Sequence, residues 1–257
     1  MRILTWNLNH RAARRRIPGW VTAAAMESCP DVIVFTEYVV GPDHQQFVAS
    51  LDAGGLGCVS VTDRPGRENQ LLIATREAHT RASLADPGIH VSLPSNTLEV
   101  RLDDSGVVVL GFRMPAYSGR DVECKRRTWD WLLEEASRLV SGPAIITGDF
   151  NTAFGDSVAR CGDCIEELAS DGWQSDAPAG GVSWRHPRTG TGRSIDHLFA
   201  SPGMRLGGST YSWEFEHVEG ASPGAVGLPD HALLIARVDP REHVTSDDGS
   251  IEPKATG

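Results

Sequence analysis

Short apolar runs that close in a carboxylate, a carboxamide or a histidine constrain this chain more than any other feature. RILTWN (2–7) ends in Asn7, and DVIVFT (31–36) is followed by Glu37. AIIT (144–147) runs into GDFN, bringing Asp149 and Asn151, while SIDHLFA (194–200) carries Asp196 at its start. Asp230 and His231 enter the last run, 231–238. Apolar stretches this short read as strands rather than helices. A polar side chain beside one strand is ordinarily a turn former; its recurrence at five strand ends means a shared rim.

The remaining pattern fills in the fold class. Gly19–Glu27 is Ala-rich and helical, with Pro18 at its first turn. Asp43–Leu51 predicts a second helix with Asp43 at its cap. Leu56–Thr62 and Gln70–Thr75 predict a strand pair, and Thr97–Asp103 with Val107–Phe112 a hairpin turning at Asp104-Ser105-Gly106. Val122–Val140 is the clearest helix: Trp129, Leu132, Leu133, Ala136, Leu139 and Val140 fall on one face, which makes the tryptophan core rather than ligand platform. The Gly180–Gly192 stretch reads as loop. Strands paired in hairpins with helices between them define an α+β domain with largely antiparallel sheets over 1–238. The polar, aperiodic segment 239–257 is expected to be a disordered acidic tail.

Composition narrows the function classes. The 257 residues carry 24 Lys and Arg against 34 Asp and Glu, a formal net charge of −10. Such a chain does not hold nucleic acid by charge alone, because phosphate binding draws on clustered cations; a histone-like protein is excluded, an enzyme with a local basic patch is not. Residues 1–20 contain five Arg (2, 11, 14, 15, 16) and no acid, and Arg120 stands near Lys125-Arg126-Arg127. The tail carries five acids and two bases, so part of the acidity lies outside the domain. No apolar stretch approaches the ~20 residues of a membrane span, and the first residues lack a signal-peptide core. Five dispersed Cys suit free thiols in a reducing, cytoplasmic setting. Cys161 and Cys164 have no second pair at zinc-finger spacing and read as two thiols at a loop-to-helix junction.

The residue types at the rim match one chemistry. Carboxylates supply hard oxygen ligands for Mg²⁺ or Mn²⁺, and such an ion polarises a phosphoryl oxygen and acidifies bound water. Asn orients water without adding charge, and a carboxylate-held His donates to developing charge on a phosphate.

TWNLN, FTE, GDFN, SIDH and PDH, in this order, resemble the motifs of the endonuclease/exonuclease/phosphatase superfamily, which includes exonuclease III-type apurinic endonucleases, deoxyribonuclease I, neutral sphingomyelinases and inositol polyphosphate 5-phosphatases. The resemblance spans Met1 to about Val238. It implies a four-layer α/β sandwich, two packed sheets flanked by helices, with the site at one end of the sheets. It further implies Glu37 as the main metal-binding carboxylate, Asp230 as a second, and Asn7 on the metal side. Asp149 would position or deprotonate the attacking water, and Asn151 would hold that water and a phosphate oxygen. His231 would contact the scissile phosphate, oriented by Asp196. The implied reaction is metal-assisted hydrolysis of a phosphate ester.

Departures bear on substrate. Arg113 stands where related proteins carry Tyr or His; it can clamp phosphate but cannot donate a proton at neutral pH. Asn9 replaces an Asp of some DNA-repair members, and Pro229 replaces the usual Ser before Asp230. Trp184 fits the aromatic segment that often precedes the Asp-bearing strand, and His186 with Arg185 would border the site. Arg113, Asn151, His231 and Arg120 are the expected substrate contacts. The leading expectation is a nuclease-type phosphodiesterase acting on DNA or RNA. The alternatives are a small-molecule or lipid phosphohydrolase and a catalytically silent binding module.

Overall fold

In a computed structural model of the chain, residues 1–9, 17–63, 69–90, 92–114, 122–217 and 230–241 are described. Strands β1 (Arg2–Asn7), β2 (Val32–Tyr38), β3 (Cys58–Val61), β4 (Gln70–Thr75), β12 (Met204–Ser212) and β13 (Leu233–Pro240) form one sheet, ordered β12-β13-β1-β2-β4-β3. A second sheet holds β5 (His79–Arg81), β6 (Thr97–Leu102), β7 (Val108–Arg113), β8 (Ala144–Asp149) and β11 (Asp196–Ala200), ordered β11-β8-β7-β6-β5. A short hairpin, β9 (Trp184–Arg185) and β10 (Gly192–Arg193), stands apart. Among the described strands, β1–β2 and β7–β8 pair in parallel and the remaining ladders are antiparallel.

Three apolar clusters show how the layers stack. Ile3, Val34, Ile73, Val100, Val109, Ile145 and Leu234 lie between the two sheets. Leu4, Phe35 and Leu72, one residue along the same strands, turn outward against α1 (Gly19–Glu27) and α2 (His44–Ala53). Leu110 and Ile146 likewise meet Trp129, Leu132 and Ala136 of α3 (Val122–Leu139) and Ile165 and Leu168 of α4 (Gly162–Ser170). Alternation of period two therefore builds helix, sheet, sheet and helix layers from strands that are apolar on both faces.

Several boundaries differ from the sequence reading. β2 runs on to Tyr38, so Glu37 lies within the strand rather than after it. β12 was unforeseen; Gly207 and Gly208 interrupt its pattern, and the register shifts between Leu206 and Ser209. The loop-like 180–192 stretch contains β9 and leads into β10. Asp43 occupies the cap position of α2 without a side-chain capping bond. The expected tail boundary at 239 moves: Asp239 and Pro240 pair with Arg205 and Met204, and the Arg241 amide donates to Gly203 O at 2.9 Å. Residues 242–257, the rest of the expected disordered tail, lie outside the described residues. All five Cys are free thiols. Among the described residues no helix is long and apolar enough to cross a membrane.

Candidate active site

Strand register assembles one row of charged groups. Parallel pairing sets Arg113 opposite Asp149, and antiparallel pairing sets Asp196 opposite the same Asp149. The ends of β7 and β8 and the start of β11 thus share one rim. From the other sheet, Asn7 Nδ2 donates to Asp149 Oδ2 at 3.0 Å. Two residues earlier on each strand, the Thr147 hydroxyl donates to His197 O at 3.0 Å and lies 3.1 Å from Thr5 Oγ1, from which it can accept, so the sheets are tied together directly behind the rim.

Backbone conformation aims the next residues. Gly148 has φ 149°, and a Cβ there would lie 1.7 Å from the Phe112 carbonyl oxygen; only glycine lets β8 draw level with β7. Glu37 has φ 53° at a register irregularity between Phe35 and Tyr38, a bulge that re-aims its carboxylate. Asn151 has φ 48°, fixed by its amide to Asp149 Oδ1 (2.9 Å) and by Nδ2 to Met114 O (2.7 Å) and Asp149 Oδ2 (3.2 Å). Left-handed backbone in non-glycine residues is concentrated at functional sites, where surrounding bonds hold it.

His231 Nδ1 lies 2.8 Å from Asp196 Oδ2, and both side chains are buried. Asp196 is fixed in turn: its amide donates to Ser183 Oγ at 3.0 Å, and its carbonyl accepts from the Tyr211 hydroxyl at 2.7 Å. Beside it in sequence, His197 turns to the opposite face, its Nε2 2.8 Å from Thr152 O in an aromatic nest with Phe150 and Phe154. Alternation along β11 therefore separates a site carboxylate from a structural imidazole. Trp184 Nε1 donates to Asp230 Oδ2 at 3.0 Å, locking the hairpin to the residue before His231.

Arg113 crosses from one sheet to the other. Its Nη2 and Nε donate to Glu37 Oε1 at 2.6 and 3.2 Å, and its Nη1 donates to Asn96 Oδ1 at 3.3 Å. Glu37, Arg113, Asp149, Asn151, Trp184, Arg193, Ile195, Asp230 and His231 line a cleft of about 190 Å³.

The electrostatics follow from this crowding. Burial pushes the Asp149 carboxyl up to about 7; the charge of Asp196 adds to the shift, and His231 and Arg113 offset part of it. Burial works against the His231 imidazolium, but the Asp196 charge and hydrogen bond, with Asp149 and Asp230, hold its pKa up at about 9. Asp196 Oδ1 is buried without a hydrogen-bond partner among the described residues. The cleft is thus rich in carboxylate oxygen, the donor chemistry of a hard cation. Among the described residues no three His, Cys, Asp or Glu side chains are grouped so as to hold a metal ion together. An open set of carboxylates with a carboxamide fits Mg²⁺, which keeps water and takes phosphate oxygen, and does not fit a structural Zn²⁺.

Of the residues singled out in the sequence, Glu37, Arg113, Asp149, Asn151, Asp230 and His231 reach one cleft, with Asn7 and Asp196 bonded to its walls. Arg120, Arg11, Arg14, Arg15, Arg16 and Pro229 lie outside the described residues. Sequence reasoning missed Arg193, which follows a glycine-rich stretch, and saw Lys125 only as part of a basic run with Arg126 and Arg127. Lys125 is buried: its Nζ donates to Asn151 O at 2.9 Å and to Arg160 O at 3.1 Å. Of the two residues expected to border the site, Arg185 lies over the Trp213 ring, 4.0 Å from its centroid. His186 meets Trp184 edge-on.

The sequence model of the Endonuclease/Exonuclease/phosphatase family matches residues 4–222. No curated protein matches the chain in sequence. Among solved structures, a 3′ phosphatase from Neisseria bound to a product DNA hairpin superposes with a TM-score of 0.72 at 21% identity, covering 93% of this chain and 99% of that one. An AP endonuclease from Archaeoglobus fulgidus gives 0.69 at 18%, covering 92% and 98%. A 3′-5′ exonuclease from Neisseria meningitidis gives 0.68 at 20%, covering 93% and 100%. At these identities the likeness establishes the four-layer fold over nearly the full length of each neighbour.

Proposed function

The chain belongs to the Endonuclease/Exonuclease/phosphatase family, hydrolases of phosphate esters, and we propose that it is a nuclease-type phosphodiesterase, dependent on Mg²⁺ or Mn²⁺ and acting on DNA or RNA. The observation that carries the reading is the row Arg113–Asp149–Asp196, with His231 on Asp196, facing Asn7 and Glu37 across one cleft. Glu37 and Asp230, with Asn7, would hold the divalent ion, which supplies Lewis-acid polarisation of the phosphoryl oxygen.

The chain's own groups account for the rest. Asp149, with a pKa near neutrality, accepts a proton from the attacking water, whose oxygen bonds to phosphorus as the ester P–O bond opposite breaks. Asn151, immobilised by three hydrogen bonds, is set to orient that water through its carboxamide. His231, kept cationic by Asp196, donates to the phosphoryl oxygen as charge builds there. The departing ester oxygen takes its proton from solvent. Asn7 holds Asp149 in place, and Trp184 holds Asp230. Five free thiols support a cytoplasmic setting for the protein.

A small-molecule phosphohydrolase is the second reading. Its support is the compactness of the cleft, about 190 Å³ against roughly 300–1,000 Å³ for pockets that enclose a drug-sized ligand. Purified protein with Mg²⁺ or Mn²⁺, assayed on single-stranded, double-stranded and abasic DNA, on RNA, and on nucleotides, inositol phosphates and phospholipids, separates them. Cleavage of polynucleotide that is lost in His231→Ala supports the first. Turnover confined to small esters sinks it in favour of the second.

A further inference from the structure

We infer that Ser183 is a positioning residue for the hydrolysis: its hydroxyl and its peptide group together set Asp196 against His231. The inference rests on the phosphohydrolase reading and adds to it a residue that acts through others.

Asp196 and His231 come from different sheets. Asp196 opens β11 of the second sheet, whereas His231 stands two residues before β13 of the first. Trp6 Nε1 donates to the His231 carbonyl at 3.0 Å, which keeps that residue with the first sheet. Pairing within a sheet orders that sheet alone, so the 2.8 Å between Asp196 Oδ2 and His231 Nδ1 depends on links across.

The segment 183–185 spans the gap. On one side Trp184 pairs with Arg193 in the β9–β10 hairpin, and the Ser183 amide donates to Arg193 O at 3.0 Å. On the other side Trp184 bridges to His231 in antiparallel fashion. The Ala232 amide donates there to Ser183 O at 2.7 Å, and the Arg185 amide donates to Asp230 O at 3.1 Å. Residues 183–185 thus form a short middle strand between the approach to β11 and the approach to β13.

The Ser183 hydroxyl adds what the backbone does not supply. It is fully buried; its Oγ accepts the amides of Ile195 and Asp196 at 2.8 and 3.0 Å and donates to Arg193 O at 3.3 Å. A serine hydroxyl has one donor and two acceptor positions, and all three are used. The Tyr211 hydroxyl pins the carbonyl side of Asp196. Ser183 pins the amide side and, through its own carbonyl, the residue after His231. Alanine would leave two buried amides without this acceptor and release the start of β11. Misplacement of a catalytic group by about 1 Å costs on the order of 10²-fold in rate.

A second buried serine, at the far end of the same strand, supplies the control. Ser201 follows the last residue of β11; its Oγ accepts the Ala144 amide at 2.9 Å and donates to Gly142 O at 2.7 Å. It holds backbone in the same manner, at the end of β11 opposite Asp196.

The test compares Ser183→Ala, Ser183→Thr, Ser201→Ala, His231→Ala and the Ser183→Ala/His231→Ala double variant. Each is followed by urea melts and by steady-state kinetics with Mg²⁺ on single-stranded DNA and bis(p-nitrophenyl) phosphate. Both serine-to-alanine variants are expected to melt at lower urea. Only Ser183→Ala loses kcat, by roughly 10- to 100-fold with KM within about 3-fold of wild type. Ser183→Thr keeps the hydroxyl on extended backbone that suits a β-branched residue, and recovers most of that loss. Adding Ser183→Ala to His231→Ala costs less than about 3-fold more, because Ser183 acts through that ring. Equal kcat losses in the two serine variants, or losses that multiply in the double variant, overturn the inference. A readout independent of turnover is the proton resonance of the ring N–H between His231 Nδ1 and Asp196 Oδ2, recorded by NMR at fixed pH. It shifts or broadens in Ser183→Ala and stays in place in Ser201→Ala; an unchanged resonance in Ser183→Ala overturns the inference. If wild type hydrolyses no ester, the phosphohydrolase reading fails, and the resonance still decides whether Ser183 sets the pair.

Discussion

Arg113 Nη2 lies 2.6 Å from Glu37 Oε1, joining a cation at the end of β7 to a carboxylate at the bulge of β2 across the two sheets. Both side chains are buried. Removing one partner of a buried ion pair leaves the other uncompensated, at a cost of about 3–5 kcal/mol. Arg113→Met is therefore expected to lower the stability of the metal-free protein by that order. Saturating Mg²⁺ should recover part of the loss, because a divalent ion on Glu37 replaces the missing charge. Urea melts with and without Mg²⁺ check this; an equal loss in both conditions would place no cation at Glu37.

His231→Ala removes the hydrogen-bond donor to the phosphate and leaves Glu37 and Asp230 in place. Turnover should fall by about 10²–10⁴-fold, while Mn²⁺ affinity, followed by electron paramagnetic resonance, stays within a few-fold of wild type. Retained turnover removes His231 from the chemistry.

The His231 pKa, raised to about 9 against an ordinary His value, has a consequence for stability. A group whose folded pKa lies above its unfolded value contributes stability that is complete below the unfolded value, ~6.5, and is lost as pH rises through the folded one. Metal-free protein should therefore melt at progressively lower temperature between about pH 6.5 and 9. His231→Gln should flatten the decline, and an NMR titration of the ring should centre near 9 in the wild type. A ring that titrates below 7 contradicts this account of the Asp196 pair.

Lys125→Met leaves the Asn151 and Arg160 carbonyls without their shared donor. A cost of about 1–3 kcal/mol follows from an unsatisfied buried acceptor. Because Asn151 holds a left-handed backbone angle, kcat should drop further than the melting change explains, with KM little altered. Steady-state kinetics alongside urea melts separate the two effects.

Trp184→Phe keeps the ring and removes the indole donor to Asp230. Loss of a hydrogen bond that orients a metal-binding carboxylate ordinarily costs 10- to 100-fold in affinity, about 1.4–3 kcal/mol. Calorimetric Mn²⁺ titration reads it directly; unchanged affinity would take Asp230 out of the metal set.

The sequence by itself determined which side chains end the strands and that the chain builds an α+β fold. Alternation of apolar residues is a local property, and so is a polar residue that stops an apolar run; hence Asn7, Asp149, Asp196, Asp230 and His231 are legible from local pattern alone. What only the tertiary structure decided is how those ends meet. Register between strands far apart in sequence set Arg113 and Asp196 on either side of Asp149, and no local pattern encodes a register. A bulge turned Glu37 into the cleft from inside β2, where a strand-end reading had placed it one step beyond. The same packing separated three arginines and lysines that look alike in sequence: Arg113 tied to Glu37, Lys125 buried under Asn151, and Arg193 held at the cleft by Asp156. Charge is written in the sequence, but a charge's counter-ion and exposure are set by which distant residues fold against it.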